Sequence, residues 1–105
     1  MNLQEKYNKC DGIAGVVRSI RMAPNFFPIV FKASNSNKFY DRLLIEIGSA
    51  LESGDEKDWP YYLLILIEID SFVAASVARF IVEHSGTDWL RALAYSYFID
   101  RSLNG

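Results

Sequence analysis

Residues 51–67, LESGDEKDWPYYLLILI, constrain this chain more than any other stretch: an acidic polar loop runs through three aromatics into a continuous apolar segment. Glu52, Asp55, Glu56 and Asp58 place four of the chain's 13 carboxylates within seven positions, offset only by Lys57. Such a loop stays in water, whereas YYLLILI must be buried, so the chain passes here from surface to core. Residues 61–67 satisfy the pattern of a short buried strand, being continuous and rich in Ile and Tyr. Against a strand, Asp58 is a good N-cap and Pro60 suits a first helical turn. Phe72, Ala75, Val77, Ala78, Phe80 and Ile81 then continue apolar with little turn chemistry between. The helix is the preferred reading, with a break near Asp70 and Ser71.

Helical spacing recurs on both sides of this segment. Phe39, Tyr40, Leu43, Leu44, Ile47 and Leu51 fall on one face, with Asp41, Arg42, Glu46, Ser49 and Glu52 opposite. The polar run ASNSN at 33–37 supplies N-caps for this helix, and Gly54 ends it as a glycine in the left-handed C' position does. Upstream, Leu3, Tyr7, Cys10, Ala14 and Val17 recur at four, three, four and three. Asp11-Gly12 and Gly15 interrupt that stripe, each glycine costing about 1 kcal/mol relative to Ala in a helix. The stripe is therefore either one weak helix or two short ones broken near Gly12. Pro24 and Pro28 mark residues 23–28 as a connection, with a short helix from 28 to about 32. Ser85-Gly86 closes the second apolar helix. Thr87 or Asp88 caps a final one carrying Trp89, Leu90, Leu93, Ala94, Tyr97 and Phe98 on a wide face.

An internal echo accompanies these helices. Asp58-Trp59, Leu63 and Ile69-Asp70 return thirty residues later as Asp88-Trp89, Leu93 and Ile99-Asp100. The echo implies that both segments start on an Asp cap and bury the same face. A period of that length suits stacked helical hairpins, with an irregular bundle as the competing arrangement. The expected architecture is all-α, a compact bundle of five or six helices forming a single domain over residues 1–105.

Composition agrees with a globular fold. Of the 105 residues, 50% are hydrophobic and 23% charged, so a core can form and disorder is excluded. A single cysteine, Cys10, cannot make an internal disulfide, which favours a reducing compartment. The opening residues, MNLQEKYNKCDG, lack the apolar centre of a secretory leader. The longest apolar stretch, 59–67, contains Pro60 and has about half the ~20 residues a helix needs to cross a bilayer. A cytoplasmic protein without membrane partners is expected. The net charge of −2 argues against general nucleic-acid affinity, which requires clustered Lys and Arg. Arg18 and Arg21 share one face, with Lys32, Lys38 and Arg42 later. Phe26, Phe27 and Phe31 between them suit a core better than a base-stacking platform.

Catalytic chemistry has little to work with. One His, one Cys and six scattered glycines supply no zinc pair and no phosphate-binding loop. His84 is expected in a last helical turn, where its ring meets unpaired carbonyls and the negative helix end. Cys10, on the apolar stripe, reads as a small hydrophobe. Glu68 and Asp70, two apart, point to different sides of a helix and belong at its wet edge. The expectation is a non-enzyme without cofactor or metal.

Specificity is then left to the acidic loop. Its plain reading is a solvated connection whose carboxylates complement the positive end of the following helix. Its functional reading joins Glu52, Asp55, Glu56 and Asp58 to the rings of Trp59, Tyr61 and Tyr62. Aromatic anchors supply contact area at low entropic cost, and the acids steer a basic partner. In size, acidity and the segment Glu52-Ser-Gly-Asp-Glu-Lys-Asp-Trp, the chain resembles bacterial toxin immunity proteins of the contact-dependent growth inhibition type. The resemblance implies a cognate protein toxin, typically a basic nuclease, bound one to one and neutralised by occlusion of its active site. The alternative is a helical adaptor or self-assembly domain that binds a peptide or protein partner.

Overall fold

Wherever the chain is described, its repeating structure is helical. The structure, a computed structural model, describes residues 2–22, 36–53 and 55–104. Six α-helices occupy them: α1 (Leu3–Lys9), α2 (Ile13–Met22), α3 (Asn37–Ser53), α4 (Trp59–Ile69), α5 (Ser71–His84) and α6 (Asp88–Asn104), with a 3-10 turn at Glu56–Asp58. The fold is all-α, and residues 61–67 belong to a helix, not a strand. The proline-bounded connection, the short helix expected near 28–32, the three phenylalanines 26, 27 and 31, and Gly54 lie outside the described residues. The helices gather into two compact units, Met1–Asp55 and Glu56–Gly105.

In the first unit the interrupted stripe resolves into two helices. Asn2 opens α1 by accepting the Glu5 amide on its side-chain oxygen at 2.8 Å. Leu3, Lys6 and Tyr7 are buried at i, i+3 and i+4. The chain then leaves the helix through Asp11 at φ 60° and Gly12 at φ 112°, the left-handed conformation that glycine adopts without a steric penalty. The Gly12 amide donates to the Tyr7 carbonyl at 2.9 Å, satisfying one of the α1 carbonyls that the helix leaves open. Gly15 is required for a different reason. A Cβ placed there would stand 1.9 Å from the Cys10 carbonyl oxygen, so only a residue without a side chain lets α2 pass this close to the end of α1. The two glycines that weaken a continuous helix are thus what allow the corner.

α2 buries Ile13, Val16 and Val17, and it receives help from α3. The Glu46 carboxylate accepts the Ile13 amide at 3.5 Å, placing negative charge at the positive end of α2. Ser36 caps α3, its hydroxyl oxygen accepting the Phe39 amide at 3.1 Å, while its own amide donates to the Gln4 side chain at 2.9 Å. Phe39, Leu43, Ile47 and Leu51 are buried at strict helical spacing. The Phe39 and Tyr7 rings meet edge-on, with centroids 5.1 Å apart.

The second unit is a run of three helices. α4 ends at Asp70, whose carboxylate accepts the amides of Phe72 and Val73 at 3.1 and 3.2 Å and so starts α5 at once. α5 runs back along α4, bringing Phe80 edge-on to Trp59 at 5.5 Å. α6 returns along α5, and side chains of both helices, Arg79, Val82, Glu83, Tyr95 and Phe98, line one groove of about 310 Å³. Among the described side chains of these helices, the buried ones are Trp59, Tyr62, Leu63, Ile65 and Leu66 on α4, Ala74, Val77, Ala78 and Ile81 on α5, and Leu90 and Ala94 on α6.

Two expectations change. Asp58 has helical backbone angles and makes no side-chain capping bond, so the preceding 3-10 turn leads into α4 without it. The wide apolar face of α6 is only partly buried: Leu90 and Ala94 face inward, while Trp89 and Leu93 face out.

Candidate functional site

Glu56 organises one end of the second unit. One carboxylate oxygen accepts the Gly86 amide at 2.8 Å, and the other accepts the Thr87 hydroxyl at 3.2 Å. The receiving turn is itself ordered by Ser85, a buried residue whose hydroxyl oxygen accepts the Thr87 amide at 3.0 Å. The Thr87 carbonyl in turn accepts the Arg91 amide at 3.0 Å, opening α6. Glu56 thereby clasps the start of α4 to the start of α6 across thirty residues. The two Asp-Trp pairs consequently begin parallel helices at the same end of the unit.

Those two pairs have opposite fates. Trp59 is only 5% exposed, whereas Trp89 is 60% exposed. The same split separates their echoes four residues on, Leu63 at 3% and Leu93 at 48%. The thirty-residue echo therefore does not bury the same face twice, and the repeat in sequence is not a repeat in packing. Trp59 is buried with its indole Nε1–H lacking any hydrogen-bond partner, an arrangement that costs about 1–3 kcal/mol. Asp88 pairs with Arg91 one turn along α6.

Of the sequence-predicted residues, Glu52 lies exposed on the last turn of α3 and Asp55 is exposed at the end of the first unit. Glu56 and Asp58 are half-buried in the 3-10 turn, Tyr61 is half-buried on α4, and Trp59 and Tyr62 are buried. The structure thus gathers Glu56 and Asp58 with Asp88 and Trp89 at one end of the second unit. It also takes Trp59 and Tyr62 away from the surface and into the core. Trp89 and Leu93 escaped the sequence reading, though a signal for them exists. The apolar residues of α6 spread around most of its circumference, more than one neighbouring helix can cover, so some of them must face outward.

The remaining chemistry-bearing residues are dispersed. His84 is exposed in the last turn of α5, its ring tilted over Phe80 at 4.4 Å. Cys10 is half-buried. Glu68 and Asp70 are both exposed, as a wet helix edge requires, and Asp70 is engaged in capping α5. A polar cleft of about 330 Å³ in the first unit is lined by Tyr7, Asn8, Asp11, Gly12, Arg42 and Glu46. Among the described residues no three His, Cys, Asp or Glu side chains converge as a metal site would need, and no helix is long and apolar enough to cross a membrane. Comparison of the chain with protein-family models, with curated proteins and with solved structures gave no match.

Proposed function

We propose that this chain is a protein-binding inhibitor, an immunity protein that pairs one to one with a cognate toxin in the cytoplasm and occludes its active site. The toxin class proposed is a basic nuclease. The observation that carries the reading is Trp89, a large ring 60% exposed that follows Asp88 at the start of α6, the helix whose opening turn Glu56 holds. Exposed tryptophans ringed by polar groups are the residues most often responsible for protein–protein affinity, and acids around them raise the rate at which a basic partner arrives. The anchoring role expected of Trp59, Tyr61 and Tyr62, of which Trp59 and Tyr62 are buried and Tyr61 half-buried, passes in this reading to Trp89 and Leu93, one turn apart on α6. Within the second unit the acidic role stays with Asp58 and extends to Asp88, while Glu56 holds the turn that opens α6; Glu52 and Asp55 belong to the first unit and take no part in this site.

The test is co-expression with the toxin encoded beside this gene. Growth should be rescued, and the double change Trp89→Ala with Leu93→Ala should abolish rescue while the protein stays folded. Changing Asp58→Asn and Asp88→Asn together should slow association and flatten its dependence on salt. Full affinity and unaltered kinetics in that double variant would remove the acidic residues from the mechanism.

A second reading is favoured by the exposure of large apolar side chains on all three helices of the second unit, namely Leu64, Phe72, Trp89 and Leu93. An adaptor or self-assembly domain would use them to bind a peptide, a protein or another copy. Sedimentation at micromolar concentration separates the two: a monomer that rescues against a toxin is an inhibitor, and a reversible oligomer without rescue is an assembly domain.

A further inference from the structure

We draw no further inference here: the strongest candidate, the apolar groove between α5 and α6 lined by Val82, Tyr95 and Phe98, has nothing in the structure to show what covers it.

Discussion

Trp59 and Trp89 begin two helices of the same unit, each following an aspartate, and one is buried where the other faces water. The dipeptide and the leucine four residues later are the same, so these matched positions do not account for the difference. The neighbours decide it. α4 presents Trp59 to Phe80 on α5 and buries five side chains along its length. α6 buries Leu90 and Ala94, leaving the arc that carries Trp89 and Leu93 exposed. One copy of the motif therefore contributes to stability, and the other is available for recognition.

The largest expected effect follows from this division. Trp59→Ala should destabilise the protein by about 3–5 kcal/mol, because it empties a buried indole site. For a chain of this size that corresponds to a fall in Tm of at least about 12 °C. A thermal melt of the variant within a few degrees of the parent would show that the ring is not part of the core. The leucines repeat the experiment on a smaller side chain. Leu63→Ala should lose about 2–5 kcal/mol in chemical denaturation, and Leu93→Ala well under about 1 kcal/mol. Equal losses at the two positions would mean that α4 and α6 bury equivalent faces after all.

Glu56 supports the comparison by holding both helix starts at one end. Glu56→Gln keeps the size of the side chain but removes the charge from two hydrogen bonds and replaces one acceptor oxygen by a donor. A loss of about 1–2 kcal/mol is expected, smaller than for a fully buried site because Gly86 is exposed. Amide exchange at Gly86 should accelerate in the same variant, since its N–H would lose a charged acceptor. Unchanged exchange there would separate Glu56 from the turn.

How much of this was legible in the chain depends on the distance over which each residue's partner lies. α3 was readable throughout, because Phe39, Leu43, Ile47 and Leu51 repeat at helical spacing and all four are buried. The break at Asp70 was readable too, since an Asp that accepts amides two and three residues ahead is a local device. The Asp11-Gly12 corner was readable as a place of weakness. The tight passage at Gly15, where an added Cβ would stand 1.9 Å from the Cys10 carbonyl oxygen, was not, because it depends on where α2 passes relative to Cys10. Glu56 looked like one more loop acid, and its partners lie thirty residues away. Trp59 and Trp89 looked interchangeable for the same reason: burial is a property of what comes back to cover a helix.

The unpartnered indole of Trp59 offers a finer way to sharpen the contrast. Trp59→Phe removes ring area from the core, which is destabilising, but it also removes a buried donor that has no acceptor, which offsets the loss by about 1–3 kcal/mol. The net change should stay within about 1 kcal/mol, far less than for Trp59→Ala. A loss above about 2 kcal/mol would mean that the N–H is satisfied in solution, for instance by an ordered water.

The smallest effect on stability is expected at Trp89. Trp89→Ala should change the unfolding free energy by no more than about 0.5 kcal/mol, as a surface substitution away from packed contacts does. Phe replacements of each tryptophan in turn leave a single indole to report by fluorescence. The protein retaining only Trp89 should emit toward the red and be quenched readily by acrylamide, a neutral quencher that the nearby carboxylates do not repel, and the protein retaining only Trp59 should emit toward the blue and resist quenching. These two measurements need no partner, so they test the exposure of Trp89 independently of the inhibitor reading. If the Trp89-only protein resists acrylamide, the ring is covered and the anchor proposed for a partner is lost. If it is quenched and Trp89→Ala leaves the melt unchanged, the indole is held at the surface without contributing to folding, and binding becomes the role open to it.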